Sequence, residues 1–285
     1  MKLKEEQNIA LITGANAGIG LELTRRLLAD HWQVAALNRS DFPAEDPDLQ
    51  KALDDGRLRV YKTGDLSDYE RLRTTLEAVK RNERRIDILF NNAGGSFPEL
   101  RYSRQGRELH YELMTVVPYI VLMELKELLL AGRYKTVINT SSSALKYTKE
   151  LSVEGLERPA SFRKLLGPYA SSKLALSLWS EAAAPQLGKD GIKIRSVDPG
   201  GNNTLRKGKN SGLPFFVKPL MKLFFSPPTL GAGRLYDGAL GEHAKTTGVF
   251  LIKGQITELK FKDQAHRILE RVQRIYEDEY LVSTS

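Results

Sequence analysis

Short apolar runs alternate with longer amphipathic stretches along the chain. The apolar runs are IALITG (9–14), QVAALN (33–38), LRVYKTG (58–64), IDILFNNAG (86–94), KTVINTSS (135–142), IKIRSVDPG (192–200) and GVFLI (248–252). Each is short, and most end in glycine, asparagine or serine, which predicts strands. Between them, apolar positions recur at helical spacing over 18–30, 67–83, 106–131, 168–188, 229–241 and 263–279. Strand then helix, repeated, with both strand faces apolar, predicts a parallel sheet covered on both sides. No linker, repeat or low-complexity segment divides the 285 residues, so a single domain over 1–285 is expected. The irregular stretches 144–166 and 201–228 each follow the carboxyl end of a strand, the edge at which open α/β sheets bind ligands.

Composition narrows the chemistry. A hydrophobic content of 41% over this length supports a substantial core. With no cysteine, disulfides, thiolate metal sites and thiol catalysis are excluded. That also fits a reducing compartment, and a cytoplasmic location is expected. His31, His110, His243 and His266 are scattered and form no H-E-x-x-H pattern, so no metal is expected. The N-terminal MKLKEEQNIALITG holds an apolar run too short to span a membrane, and it is read as the first strand. The net charge is +8, and five of the surplus positive charges (Arg206, Lys207, Lys209, Lys218 and Lys222) fall in the acid-free segment Thr204–Pro228. No basic stripe interleaved with aromatics accompanies them, so a nucleic-acid partner is not expected. A peripheral membrane role for this segment is a minor alternative.

TGANAGIG (Thr13–Gly20) lies between the first strand and the first helix. Glycines at 14, 18 and 20 do not meet the G-x-G-x-x-G spacing, yet the physics is the same. They allow a tight turn and close approach to a pyrophosphate at a helix N-terminus. The candidate contacts in this motif are Thr13, Gly14, Asn16, Gly18, Ile19 and Gly20. At the end of the second strand the sequence reads Asn38-Arg39. No carboxylate stands ready for the 2′-hydroxyl of NAD, and a guanidinium suits a 2′-phosphate, so NADP(H) is expected over NAD(H). Tyr169 and Lys173, four residues apart, share one helix face, either as a surface pair or as the working end of an enzyme.

These motifs occur in order with NNAG (91–94), a serine cluster (141–143), GDL (Gly64–Leu66) and PGGNNT (199–204). The set resembles the short-chain dehydrogenase/reductase family over nearly the whole chain. GRELHYELMTVVPYIVLMELKELLL and the loop before Tyr169 look most like its retinol-dehydrogenase-like branch. The resemblance implies one Rossmann-type three-layer sandwich with a seven-stranded parallel sheet. It implies Asp65 and Leu66 near the adenine, Asn91, Ala93 and Gly94 at the central region of the cofactor, and Pro199, Gly200 and Thr204 beside the nicotinamide. Tyr169 and Lys173 then also touch the cofactor, with Lys173 on the nicotinamide ribose.

Carbonyl reduction needs a hydride and a proton. The expected proton donor is Tyr169. A free phenol titrates at about 10, and a cation four residues on favours the phenolate. A hydroxyl should also polarise the carbonyl. Ser141, Ser142 and Ser143 all qualify, and the family register selects Ser142. The family's fourth catalytic residue, an Asn that helps hold a water in a proton relay to the Lys, falls on Met114, whose thioether cannot donate a hydrogen bond. Thr115 is the candidate substitute. GLPFFVKPLMKLFFSPP (212–228) reads equally as an apolar lid over the substrate or as core packing. The expected function is NADP(H)-dependent interconversion of a carbonyl and an alcohol on an apolar small molecule, with a lid near 201–228. The alternative is a cofactor-binding but catalytically weak sensor or interaction protein. The charged amphipathic stretch 263–279 would cap the domain or meet a partner subunit of a homo-oligomer.

Overall fold

A computed structural model describes residues 7–201 and 226–282. The seven predicted strands form as β1 (Ile9–Thr13), β2 (Gln33–Asn38), β3 (Leu58–Lys62), β4 (Ile88–Asn91), β5 (Thr136–Thr140), β6 (Lys193–Asp198) and β7 (Val249–Ile252). All seven run parallel, in the order β3-β2-β1-β4-β5-β6-β7. An eighth strand, β8 (Gln255–Thr257), corrects the expected seven and pairs antiparallel on the β7 edge. Its cause is local. Lys253 and Gly254 both take positive φ (51° and 79°), the geometry of a two-residue turn whose twist suits a hairpin.

Alternate residues of each strand supply opposite layers, as a period of two requires. Leu11, Ala35, Leu37 and Leu89 point to one face; Ala10, Ile12, Ala36, Ile88 and Phe90 point to the other. The second face is covered by α1 (Gly18–Ala29), α2 (Pro47–Asp54) and, after the segment outside the described residues, α9 (Pro228–Leu240). The first is covered by α3 (Tyr69–Asn82), α5 (Val117–Glu124), α8 (Pro168–Lys189) and α10 (Ala265–Arg274). The α10 helix packs on α8 and so caps this chain, as one of the two sequence readings had it. The unforeseen α2 begins at an N-cap, with Asp46 accepting from the Leu49 N–H and Pro47 in the first turn.

The predicted helix 106–131 is not continuous. It divides into α4 (Leu109–Tyr111), a π-helical turn (Glu112–Val116), α5 and α6 (Lys126–Leu130). Pro118, which has no N–H to return to the carbonyl four residues earlier, directly follows the π-helical turn, and the helical run itself is interrupted at Leu125, between α5 and α6. Between β5 and α8 lie a 3₁₀ turn (Ser143–Tyr147) and the short α7 (Val153–Glu157). No helix among the described residues is long and apolar enough to cross a membrane.

Candidate active site

The chain runs from β1 out to β3, then returns to the other side of β1 as β4. This reversal opens a crevice at the carboxyl ends of β1 and β4, and α1 starts there. Thr13 Oγ1 accepts from the N–H groups of Asn92 (3.0 Å) and Ala93 (2.9 Å). Asn92 Nδ2 donates back to the carbonyls of Thr13 (3.1 Å) and Gly14 (3.2 Å). The two strand ends are therefore stitched by Asn92, a residue the sequence reading passed over although it lies inside NNAG. A Cβ on Gly20 would overlap the Gly14 carbonyl oxygen and lie 2.6 Å from Asn92 Nδ2, so the loop closes this tightly only around glycine.

Asn16 Nδ2 donates to the Ser40 carbonyl (2.7 Å) and the Asp41 carbonyl (3.0 Å), tying the glycine-rich loop to the loop after β2. Gly18 opens α1, and Ile19 is half-buried beside it. Asn38 is buried; its Oδ1 accepts from the Ala15 N–H at 2.8 Å, while its Nδ2 has no partner. Arg39, next in sequence, is exposed and makes no ion pair among the described residues. Asp65 Oδ1 accepts from the Ser67 N–H (3.0 Å) and hydroxyl (2.9 Å), a closed turn above the buried Leu66. Asn91 turns inward: its Nδ2 donates to Asn139 Oδ1 at 2.8 Å, and its Oδ1 is buried without a partner. Pro199 and Gly200 follow β6. The Pro199 carbonyl accepts from Arg234 at 3.1 Å, and the Gly200 N–H donates to Asp198 at 3.0 Å. Thr204 and most of the expected lid lie outside the described residues.

The structure brings Ser142, Tyr169 and Lys173 together at the end of β5. Of the three serines, Ser141 is buried, and its hydroxyl meets that of Ser177 at 2.8 Å. Ser143 opens the 3₁₀ turn. Ser142 Oγ accepts from the Ala144 N–H at 3.2 Å and lies close enough to the Tyr169 phenol to act on its pKa. Burial pushes that phenol up from its ordinary value; Ser142 opposes the shift, and the buried Asp198 adds to it. Lys173 does not set the phenol as the sequence suggested. Its Nζ turns to the Thr140 carbonyl at 2.6 Å, and burial pulls the ammonium down to about 7.

The sign of the Lys173 shift gives a prediction. Its folded-state pKa lies below the unfolded 10.5, so from pH 7 to 10.5 the unfolded chain binds the extra proton. Stability therefore rises with pH in that window, by up to about 1.4 kcal/mol per pH unit. Lys173→Met is expected to melt above wild type near pH 7, and the difference should shrink toward pH 10. Melting curves of the two proteins across that range are the check. A constant difference would show that Lys173 is not held neutral by burial.

Met114 is buried in the π-helical turn. A Cβ on Gly94 would lie 2.8 Å from its sulfur and 3.8 Å from Lys173 Nζ, so the thioether fills the space beside the ammonium. Thr115 does not take over the missing amide. Its hydroxyl donates to the Ser172 carbonyl at 2.9 Å, and its carbonyl accepts from Trp179 Nε1 at 3.2 Å.

Residues 8–211 match the family described as short chain dehydrogenase. Among curated relatives, a polyprenol dehydrogenase of Danio rerio is 30% identical, covering 89% of this chain and 81% of its own length. Retinol dehydrogenase 14 of Mus musculus is 28% identical, covering 78% of this chain and 70% of its own length, in line with the retinol-dehydrogenase-like branch. Among solved structures, a 4-hydroxyisoleucine dehydrogenase complexed with NADH aligns with a TM-score of 0.65 at 20% identity. That alignment covers 87% of this chain and 98% of the other.

Proposed function

Because the chain belongs to the short-chain dehydrogenase family, we propose that it is an NADP(H)-dependent oxidoreductase that interconverts a carbonyl and an alcohol on an apolar small molecule. The observation that carries this reading is the half-buried Tyr169, its phenol held above its ordinary pKa by desolvation and close to Ser142 at the end of β5, on the helix that carries Lys173. The residues present fit a dinucleotide. The Gly14–Gly20 cradle has no room for a Cβ, Asn38 Nδ2 lies buried and unpartnered beside it, and Arg39 stands free at the β2 end.

When bound, the reduced nicotinamide supplies the hydride. Tyr169 gives its proton to the carbonyl oxygen as negative charge develops there, and Ser142 donates a hydrogen bond to the same oxygen. In the reverse direction the same two groups hold the alcohol, and Tyr169 receives its proton. Lys173, at the other end of the pair, would hold the nicotinamide ribose. Arg39 would take a 2′-phosphate, while the loop through Gly18, Ile19 and Gly20 would hold the pyrophosphate. Asp65 and Leu66 would flank the adenine, and Pro199, Gly200 and Thr204 the nicotinamide. The chain would act as one domain, with the apolar 201–228 segment closing over the substrate. A cytoplasmic setting accords with the cysteine-free composition, and a homo-oligomer is compatible with it.

Arg39→Asp tests the cofactor preference. Loss of charge-assisted bonds is expected to weaken NADPH binding by roughly 10- to 100-fold, with little effect on NADH. Titration of both cofactors against both proteins reads this. Equal binding of NADH and NADPH by wild type, unmoved by the substitution, would remove the preference.

Met114 favours a second reading, a cofactor-binding protein with weak catalysis. It places a thioether where the family's proton relay has an amide, and Thr115 is engaged elsewhere. Tight NADPH binding with no turnover over a broad carbonyl panel, unchanged by Met114→Asn, would establish that reading over the first.

A further inference from the structure

His110 is buried, and both its ring nitrogens are engaged. Nε2 accepts from the Phe97 N–H at 3.0 Å, and Nδ1 lies 2.6 Å from Oε1 of the equally buried Glu108. An accepting Nε2 assigns the proton to Nδ1, which donates to the carboxylate. Glu108 is fixed in turn. Its Oε2 accepts from the Tyr111 N–H at 3.0 Å, and its own N–H donates to the Glu157 carbonyl at 2.8 Å.

Three half-buried rings from three separate segments gather on this imidazole. Phe97, from the loop after β4, lies 4.7 Å away between centroids. Tyr169, from the start of α8, stands edge-on at 6.0 Å. Phe162, from the insertion between β5 and α8, lies near-parallel at 6.4 Å. Burying a carboxylate and an imidazole merely to fill space is no better than burying an apolar pair, so their presence calls for a geometric role. The role available is to fix the Phe97 main chain, and with it the position of its ring relative to Tyr169.

We infer that His110, held by Glu108, is a positioning residue that sets a wall of Phe97, Phe162 and Tyr169 rings on the substrate side, and that this wall selects planar aromatic carbonyl compounds over saturated ones of the same size. The inference rests on the oxidoreductase reading only in placing the substrate beside Tyr169. Aromatic pairs gain a modest increment beyond their area burial, so the preference should be roughly two- to tenfold.

The test compares acetophenone with cyclohexyl methyl ketone, which match in size and differ in aromaticity. Dissociation constants are measured with saturating NADP+, where no reduction runs and binding is read without turnover. Wild type is expected to favour acetophenone by roughly two- to tenfold. His110→Phe keeps a ring but cannot accept the Phe97 N–H, and it should lose that preference. His110→Gln keeps a donor for Glu108 and an acceptor for Phe97, and it should retain it. Phe162→Leu removes one ring of the wall without touching the buried pair, and it should weaken acetophenone alone. NADP+ affinity should stay unchanged throughout. Equal binding of the two ketones by wild type would overturn the inference. So would His110→Phe weakening both ketones alike, or Phe162→Leu changing neither. If the oxidoreductase reading alone fails, wild type keeps the preference but turns nothing over; if this inference alone fails, turnover persists without the preference.

Discussion

Tyr169→Phe is expected to lower NADPH-dependent carbonyl reduction by about 10²- to 10⁴-fold, the usual worth of a positioned general acid. NADPH affinity and melting temperature should stay close to wild type, since the substitution removes one half-buried hydroxyl and keeps the ring. The expectation follows from the environment of the phenol. Burial raises its pKa, Asp198 adds to the rise, and only Ser142 opposes it. The group is therefore protonated at neutral pH and disposed to give a proton to a carbonyl oxygen. Steady-state rates, with NADPH binding measured separately, check this. A variant that kept full activity would remove Tyr169 from the chemistry.

Arg107→Met is expected to destabilise the fold by roughly 3–5 kcal/mol, the cost of leaving a buried ion without its partner. Arg107 Nε donates to Glu112 Oε2 at 2.6 Å, one Nη donates to Glu279 at 2.6 Å, and the other to the Tyr69 hydroxyl at 2.9 Å. Tyr69 in turn donates to Glu112 Oε1 at 2.5 Å. Glu112 is fully buried, so removing the guanidinium strands a carboxylate in the interior. Replacing both, as Arg107→Met with Glu112→Leu, should recover much of the loss, because no charge then remains unpaired. Denaturant unfolding of the single and double variants reads the difference; equal losses in both would mean the ion pair is not the cause. The network also matters for the site, because Glu112 begins the π-helical turn that places Met114 beside Lys173 and anchors Thr115 to α8.

The sheet was legible because its strands are buried on both faces and read as apolar runs. Their ends agree with the structure to within a few residues; the glycine-rich turn, NNAG and the serines fall at strand ends as expected, and Tyr169 opens α8. What escaped the sequence is set by turns and by long-range partners. β8 is three residues long and depends on the positive φ of Lys253 and Gly254. The helix expected over 106–131 starts late at Leu109, carries a π-helical turn ahead of Pro118 and is interrupted at Leu125, and the apolar run around these positions hid all three. Arg195 sits in the middle of an apolar strand, where no periodicity explains it. In the structure it is buried, and it donates to the carbonyls of Gly238 (2.7 Å) and Ala239 (3.2 Å) at the end of α9.

The residues alone left the three serines open, and only the resemblance chose among them. Their orientations then separate them, since Ser141 is committed to Ser177 while Ser142 faces Tyr169. The position of the Lys173 ammonium could not be read from its spacing to Tyr169, because it depends on a carbonyl 33 residues away. The Glu108–His110–Phe97 chain was equally hidden. A lone histidine in an apolar stretch carries no sign of what its two nitrogens will meet.

The most direct measurement follows deuterium from NADPH labelled at the transferring C4 position into the alcohol formed from an apolar ketone. Wild type should deliver one deuterium to the carbinol carbon, and Tyr169→Phe should deliver none above background while still binding the cofactor. If wild type binds NADPH yet transfers no label to any ketone or aldehyde of a broad panel, the protein is a cofactor binder and the assignment of Tyr169, Ser142 and Lys173 to hydride-coupled proton transfer is wrong.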